Sequence, residues 1–245
     1  MIQERKLELA GVPCLELSPG EAFAGQVLLY HGWGSTMASY RFFASVVAGW
    51  GFRVTVPELP LHGERGSLDY GDAEALQAHF WPIVRQGVGE AGALADELAR
   101  RSDAPVAVVG HSTGGFIAAG AFAAQPRLRS AAVINGSCAW VRFEEHYRAR
   151  LGIGRMAAED RARLERDDPF PRLRLQPGRP LLLLHCEGDT TVPVDSQRYF
   201  ADALRGDGEL PEKVRLLEFP RADHVITLGM LERLHDFLTR PGSAE

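Results

Sequence analysis

The sequence predicts an α/β fold, in which a mostly parallel sheet of about eight strands is covered by helices on both faces. Short apolar runs alternate with longer amphipathic segments along most of the 245 residues, as expected when each strand is followed by a helix. Several runs are continuously apolar, which is typical of strands buried on both faces. A chain of this length suits one such domain, with a core that requires neither disulfides nor metals.

Eight segments have the short apolar runs that are typical of β-strands. The first two, residues 6–9 and 12–17, predict an opening hairpin. Six further runs predict parallel strands, at 27–32, 52–56, 105–110, 131–135, 180–186 and 214–219. Glycine closes the runs VLLYHG and PVAVVG, and such residues mark the loops that follow strands.

Helical spacing of apolar residues predicts helices at 40–50, 73–101, 113–125, 195–204 and 227–239. Asp72 is a candidate cap of the second helix, and Pro82 within that helix predicts a kink or a break. From about 141 to 178 the chain is charged, rich in arginine and without strand signals. We therefore expect a single domain over residues 1–245, with a small helical cap inserted at about 141–178.

Composition and charge narrow the class of protein. Hydrophobic residues make up 45% of the chain and charged residues 24%, and the net charge is −5 without a basic block. These values are typical of a globular protein and disfavour a nucleic-acid partner. The N-terminus is charged, and no run reaches the roughly 18–20 apolar residues that span a bilayer. We therefore expect a cytoplasmic protein without a membrane partner, in which Cys14, Cys138 and Cys186 are buried thiols.

The strongest local motif is GHSTG at residues 110–114. It lies between a predicted strand and a predicted helix, which is the context of a nucleophile elbow. The tight turn has no room for side chains beside the serine, and it holds the serine in a strained conformation with its hydroxyl exposed. The motif indicates Ser112 as a nucleophile; the alternative is a loop serine that caps a helix.

A serine nucleophile requires a base, and the base requires an orienting acid. In proteins with this elbow the acid and the histidine follow the serine in that order along the chain. Asp189 follows the strand at 180–186, and His224 follows the strand at 214–219. Both positions are at carboxyl ends of parallel strands, where open α/β sheets place their sites. The pattern predicts a catalytic triad of Ser112, Asp189 and His224.

Weaker alternatives exist for both partners. His62, in the loop after the second parallel strand, is the rival base. Glu187 and Asp223 are rival acids, although Asp223 adjoins the base in sequence and is expected to be a solvated loop carboxylate.

Hydrolysis of an acyl group also requires donors for the developing oxyanion. The backbone N–H of Thr113 is one candidate, because it follows the nucleophile at a helix N-terminus. The second candidate is the N–H of Trp33, in the HGWGS segment after the first parallel strand. The alternative for this segment is a flexible turn with no catalytic role.

The segments HGWGS, PLHGERG, GHSTGG, EGDTTVP and ADH occur in this order and span most of the chain. Together they resemble the α/β-hydrolase superfamily, in particular small bacterial serine esterases related to the hydrolase domain of prolyl oligopeptidases and to dienelactone hydrolases. Ser112 differs from the cysteine of dienelactone hydrolases and from the aspartate of haloalkane dehalogenases. Cys186 departs from the glycine that relatives usually carry there. The resemblance implies ester hydrolysis through an acyl-enzyme, without a metal or organic cofactor.

The cap is expected to set specificity for a small-molecule ester or thioester. Candidate substrate contacts are His62, Arg65, Trp140, Phe143 and Tyr147, although the aromatic residues could instead pack the cap against the body. Arginines of the cap are expected to form a solvated helix face rather than an anion site. Amide, C–C bond or transfer chemistry on the same triad remains open, and so does a small-molecule sensor, because a fold does not determine a reaction.

Overall fold

The computed structural model describes residues 1–175, 178–206, 208 and 210–240. Its eight strands form one sheet in the order β1-β2-β4-β3-β5-β6-β7-β8. The strands β3 to β8 are parallel, and only the pairs β1·β2 and β2·β4 are antiparallel. The predicted hairpin followed by six parallel strands is therefore confirmed. The strand bounds are β1 Gln3–Leu9, β2 Val12–Ser18, β3 Gly25–Tyr30, β4 Phe52–Pro57, β5 Val106–His111, β6 Leu128–Ile134, β7 Leu181–Cys186 and β8 Val214–Phe219.

Helices connect the parallel strands, as predicted, with small differences at their ends. Their bounds are α1 Arg41–Gly49, α2 Ala73–Arg101, α3 Thr113–Ala124, α4 Trp140–Leu151, α5 Ala158–Asp167, α6 Phe170–Leu175, α7 Asp195–Arg205 and α8 Leu228–Thr239. Of the kink or break predicted at Pro82, the break is wrong, because α2 runs through this residue. Proline removes one helical hydrogen bond, but neighbouring residues such as Trp81, Ile83 and Val84 are buried in the core and hold the helix in place.

Alternate residues of the central strands pack into two separate layers. Leu28 and Tyr30 of β3 face the layer that contains α2 and α3. Val27 and Leu29 face the layer that contains α1 and α8. This alternation follows from the two-residue period of a strand, and it requires apolar residues at every position of a strand buried on both faces. The sheet is thus covered by helices on both faces.

The segment predicted as a cap contains α4, α5 and α6, between β6 and β7; residues 176 and 177 of the predicted range lie outside the described residues. Asp168 is buried and accepts hydrogen bonds from the backbone N–H groups of Trp140, Val141 and Phe170, at 3.1, 3.0 and 3.0 Å. One carboxylate therefore joins the start of α4 to the start of α6. Burial raises the pKa of Asp168, and the three N–H donors lower it, with a net upward shift.

Buried polar residues cluster at the carboxyl ends of β5 and β7. Burial lowers the pKa of His111 to about 3 and also lowers the pKa of His185. His111 exchanges a 2.8 Å hydrogen bond with the Tyr40 hydroxyl, and His185 donates from Nε2 to the Val192 carbonyl at 2.7 Å. Both imidazoles therefore stay neutral in the folded protein near pH 7. The three cysteines are free and buried.

Within the described ranges, no helix combines the length and the apolar character needed to cross a lipid bilayer.

The N-terminal capping residue of α2, Asp72, gives a test of local stability. The Asp72 side chain accepts hydrogen bonds from the N–H groups of Glu74 and Ala75 at 3.1 and 3.2 Å. Replacing Asp72 with alanine leaves these donors without a protein acceptor and should lower the free energy of unfolding by about 1 kcal/mol, as measured by urea denaturation. Asp103→Ala, at an exposed loop position, is the matched control. An equal loss in both variants would contradict the capping role.

The pKa of His111 predicts a pH dependence of stability. The unfolded chain binds a proton at this imidazole below its ordinary pKa of 6.5, whereas the folded chain does so only near 3. The free energy of unfolding should therefore fall as the pH drops from 6.5 toward 4, by about 1.4 kcal/mol per pH unit for this group. In His111→Gln the slope should be shallower by that amount in urea titrations at pH 4, 5 and 6. His79→Gln controls for the loss of a surface histidine; identical slopes in wild type and His111→Gln would refute the assignment.

Candidate active site

Ser112 lies in the turn between β5 and α3, in a strained backbone conformation with φ 57° and ψ −126°. A Cβ atom at Gly110 would lie 1.9 Å from the Gly114 carbonyl oxygen. A Cβ atom at Gly114 would lie 2.2 Å from the carbonyl oxygen of Tyr30. The two glycines of the motif are therefore required by contact between backbones, and this contact holds the serine at positive φ.

Asp189 and His224 meet across two loops. Asp189 is 5% exposed and accepts the Nδ1 hydrogen of His224 through Oδ2, at 2.7 Å. Its other oxygen, Oδ1, accepts from the N–H groups of Thr191 and Val192 at 2.9 and 2.7 Å. Three donors thus hold one carboxylate. This arrangement selects the tautomer of His224 that carries its hydrogen on Nδ1, so that Nε2 is left with a free lone pair.

The Nε2 atom of His224 is buried and has no hydrogen-bond partner among the described residues. A buried nitrogen without a partner costs free energy, and a catalytic role is one explanation for such an atom in a folded protein. Ser112 lines the neighbouring cavity and is 8% exposed. An imidazole with this tautomer can take a proton from a hydroxyl group.

Asp223 has a structural position that the sequence analysis did not foresee. Its carboxylate accepts from the N–H and the hydroxyl of Thr190, at 2.8 and 3.0 Å, and from the N–H of His224 at 2.8 Å. These hydrogen bonds, led by the one from the Thr190 backbone, lower the pKa of Asp223. Asp223 is exposed, but it is not a free loop carboxylate: it joins the loop of Asp189 to the loop of His224.

Asn135 provides a second connection under the same loops. Its amide nitrogen donates to the Val225 carbonyl at 2.9 Å, and its oxygen accepts from the Cys186 N–H at 3.0 Å. The ring of His111 lies 5.1 Å from the ring of His224, measured between centroids. The loop that carries His224 is therefore fixed on one side by Asp223 and on the other by Asn135.

The segment after β3 passes beside Ser112. A Cβ atom at Gly32 would lie 3.1 Å from the Ser112 Cβ and 3.5 Å from its Oγ. Gly34 has φ 68°, and the Trp33 indole donates to the Tyr70 carbonyl at 3.0 Å. Over the described residues, neither the Trp33 N–H nor the Thr113 N–H donates to a backbone or side-chain acceptor. Both amides therefore lack an acceptor within the described part of the chain.

A cavity of about 570 Å³ opens beside Ser112 and Thr113. Its walls come from α2, the cap and the loops after β3 and β7, and its large apolar residues are Trp33, Leu76, Phe80, Trp81, Phe143, Tyr147 and Met156. The predicted contacts Phe143 and Tyr147 are among them. The wall contributed by α2 was not predicted; the adjacent aromatic residues Phe80 and Trp81, directly before a helical proline, were the available signal.

The other predicted contacts lie elsewhere. His62 is fully buried and does not line the cavity: Nδ1 bonds to the Pro60 carbonyl at 2.9 Å, and Nε2 accepts from the Gly34 N–H at 3.1 Å. Because both ring nitrogens are engaged, His62 is also a poor candidate for the base. Arg65 is held by Glu90, with contacts of 2.8 and 2.6 Å. Trp140 is 1% exposed and packs in the core.

The three arginines that line the cavity are each paired with a carboxylate. Arg148 bonds to Glu144 at 2.6 Å, and Glu144 also accepts from the Trp81 indole at 2.9 Å. Arg85 lies 3.0 Å from Asp167, and Arg163 lies 3.2 Å from Glu159. The cavity therefore combines aromatic walls with arginines that already have carboxylate partners, and Asp160 adds a further negative charge to its lining.

Comparison with known proteins agrees with this architecture. The "Putative esterase YitV" of Bacillus subtilis (strain 168) is 30% identical over 246 residues, which cover 92% of this chain and 94% of that protein. Esterase YjfP of Escherichia coli (strain K12) is 32% identical over 224 residues, covering 85% of this chain and 87% of YjfP. The crystal structure of TT1662 from Thermus thermophilus superimposes over the full length of both chains with a TM-score of 0.80, at 24% identity.

The α/β-hydrolase fold predicted from the sequence is thus confirmed by both topology and relatives. The family model of the prolyl oligopeptidase family matches residues 87–239, which include β5, the cap and all the elements from β7 to α8. Together with relatives at 30% identity or above over most of the chain, this match shows that the protein belongs to the prolyl oligopeptidase family.

Proposed function

We propose that this protein is a serine esterase, with Ser112 as nucleophile, His224 as general base and Asp189 as the acid that orients it. The observation that carries the proposal is the pairing of Asp189 with His224 at 2.7 Å, which leaves Nε2 of His224 buried and without a partner among the described residues. Ser112 lies at the same edge of the sheet, in the strained conformation of a nucleophile elbow. The esterase names of the relatives support the same reaction.

The proposed reaction has two halves. Ser112 Oγ attacks the ester carbonyl while its proton passes to Nε2 of His224; the alcohol then leaves with that proton, and an acyl-enzyme remains. Water attacks the acyl-enzyme in the second half, with His224 again accepting and returning the proton. Asp189 stabilises the imidazolium formed in each half, because its charge lies 2.7 Å from Nδ1.

The oxyanion of each tetrahedral intermediate is proposed to bind the N–H groups of Trp33 and Thr113. Neither amide donates to an acceptor within the described part of the chain. The Thr113 amide is also at the N-terminus of α3, where the helix dipole favours negative charge. Donors held in place before the reaction need no reorganisation, and one such donor typically contributes about 3 kcal/mol to transition-state stabilisation.

The cavity favours a neutral ester with an apolar acyl group. Its aromatic walls offer burial to a hydrocarbon or an aromatic ring, at about 25 cal/mol per Å² of apolar surface. The arginines of the cavity are already paired with carboxylates, so an anionic substrate would have to compete with these ion pairs. Thioesters of the same acyl groups fit the same geometry.

Amide hydrolysis is the second candidate, and the family assignment favours it. Peptidases of this family share the fold that carries the proposed triad here, and the same nucleophile can attack an amide. An aryl amide with the same acyl group as the best ester distinguishes the two reactions: an amide-to-ester ratio of kcat/KM near one would replace the esterase proposal by an amidase.

The triad can be tested by removing the charge of Asp189 without changing its shape. Asp189→Asn should lower kcat for p-nitrophenyl butyrate about 10⁴-fold at pH 7.5, because an amide can hold His224 in the wrong tautomer. Ser112→Ala should abolish both turnover and labelling by a fluorophosphonate. Asp223→Asn is the matched control for the neighbouring carboxylate and should retain a larger share of the activity. A fully active Ser112→Ala variant would eliminate the proposal.

The acyl pocket can be tested at Tyr147. Removing its ring in Tyr147→Ala takes away apolar contact with long acyl chains but not with acetate. The ratio of kcat/KM for p-nitrophenyl octanoate to that for p-nitrophenyl acetate should fall about ten-fold, which corresponds to about 1.4 kcal/mol of lost burial. Tyr199→Ala, an exposed aromatic of α7 that does not line the cavity, should leave the ratio unchanged. An unaltered ratio in Tyr147→Ala would place the acyl group elsewhere.

A further inference from the structure

The peptide between Gly32 and Trp33 is held from its carbonyl side. The Gly32 oxygen lies 3.0 Å from Nδ1 of His31 and accepts from the Ser35 N–H at 3.2 Å. A trans peptide is planar, so its C=O and N–H point in opposite directions. Any group that fixes the Gly32 carbonyl therefore also fixes the direction of the Trp33 N–H.

His31 is fully buried, and each of its ring nitrogens faces an acceptor. Nδ1 faces the Gly32 carbonyl, and Nε2 lies 3.0 Å from Oε1 of Glu58. Carbonyl and carboxylate oxygens only accept, so both contacts are hydrogen bonds only when each ring nitrogen carries a hydrogen. The Leu59 N–H also points at Nε2, at 3.2 Å, but the contact with the carboxylate is shorter and assisted by charge.

Glu58 is 2% exposed and holds both ends of the loop. Its Oε1 bonds to His31 at the start of the loop and accepts from the Met37 N–H at 2.9 Å at the end. Burial alone would raise the pKa of Glu58, but the hydrogen bonds from His31 and Met37 outweigh burial and lower it. Glu58 is therefore a buried carboxylate that bonds to both ends of the loop after β3, with a further backbone hydrogen bond from Glu64 in the loop after β4.

The second oxygen of Glu58 accounts for a motif that the triad does not use. A Cβ atom at Gly63 would lie 2.1 Å from Oε2 of Glu58. The PLHGERG segment thus requires glycine where its backbone passes over the carboxylate, and the neighbouring His62 accepts the Gly34 N–H at 3.1 Å. Two loops that follow adjacent strands, β3 and β4, are joined through one buried acid.

We propose that Glu58 and His31 form a positioning pair that orients and polarises the Gly32–Trp33 peptide, so that its N–H faces the oxyanion. The assignment rests on the proposed function in one respect, that the Trp33 N–H is an oxyanion donor. Hydrogen bonds in a chain polarise one another; a donor on the Gly32 oxygen therefore strengthens the N–H of the same peptide. Neither residue touches substrate, and both act through the backbone.

A positioning role has a kinetic signature. An interaction that matters only when the oxyanion forms changes kcat and leaves the binding of the neutral ester unchanged. Glu58→Gln keeps the size of the side chain and removes its charge; it should lower kcat about ten-fold with KM within two-fold. The inhibition constant of an aryl trifluoromethyl ketone, which forms an oxyanion on the serine, should rise by the same factor.

Two substitutions of His31 separate its donor from its bulk. His31→Asn retains an N–H near the position of Nδ1 and should keep kcat within a few-fold of Glu58→Gln. His31→Leu removes every donor and should lower kcat about 100-fold. Glu16→Gln is the matched control, because it neutralises an equally buried carboxylate that pairs with Arg5 and Arg101 and not with either loop. Equal effects on kcat and KM, or an unchanged ketone affinity in Glu58→Gln, would overturn the positioning role.

A measurement without substrate keeps the test independent of the enzyme's activity. The ¹⁵N resonance of the Trp33 amide reports hydrogen bonding at the Gly32 carbonyl; it should shift in Glu58→Gln and His31→Leu and stay in place in Glu16→Gln. An unmoved Trp33 resonance in Glu58→Gln would refute the pair even if His31→Leu failed to fold. A shifted resonance in a protein that neither hydrolyses esters nor takes a fluorophosphonate would instead reject the proposed function and retain the pair.

Discussion

The functional end of this molecule depends on the close approach of the α3 backbone to the backbones of β3 and β5. A Cβ atom at Gly110 or Gly114 would lie only 1.9 or 2.2 Å from a main-chain oxygen atom, so no side chain can be accommodated at either position. This contact forces Ser112 into positive φ, and the buried face of α3, with Phe116 and Ile117 at 0% exposure, holds it there. Helix packing therefore sets the position of both the serine and the first free amide of α3.

The loops around Ser112 are joined to one another as well as to their strands. Asp223 connects the Asp189 loop to the His224 loop, and Asn135 connects the end of β7 to the same histidine loop. Loops are usually the more mobile parts of a fold. Here, carboxylate and amide side chains link the loops that follow β6, β7 and β8, so that Asp189 and His224 are held in a fixed geometry.

The cavity shows how charge and apolar surface are combined. Its walls are largely aromatic, and Arg85 and Arg148 are held by carboxylates of the cap. A buried charge that already has a partner gains little from a second one, whereas an unpaired arginine would attract anions. This pairing is the physical reason why we expect the cavity to bind a neutral acyl group. The pairing requires α2 and the cap to be in contact, so it cannot be inferred from the number of arginines alone.

The sequence by itself determined the strands, the helices and the place of the elbow, because burial on two faces and the glycine turn leave local patterns that a single segment contains. It also indicated Asp189 and His224, since both follow strands whose carboxyl ends share one edge of the sheet. Only the tertiary structure decided the continuity of α2 at Pro82, the wall that α2 adds to the cavity, and the burial of His62 and Trp140. The partnership of Glu58 with His31 likewise needed the fold, because it joins residues 27 positions apart that no periodic pattern relates. Such side-chain partners are set by which loops meet in space, and that depends on the packing of the whole sheet.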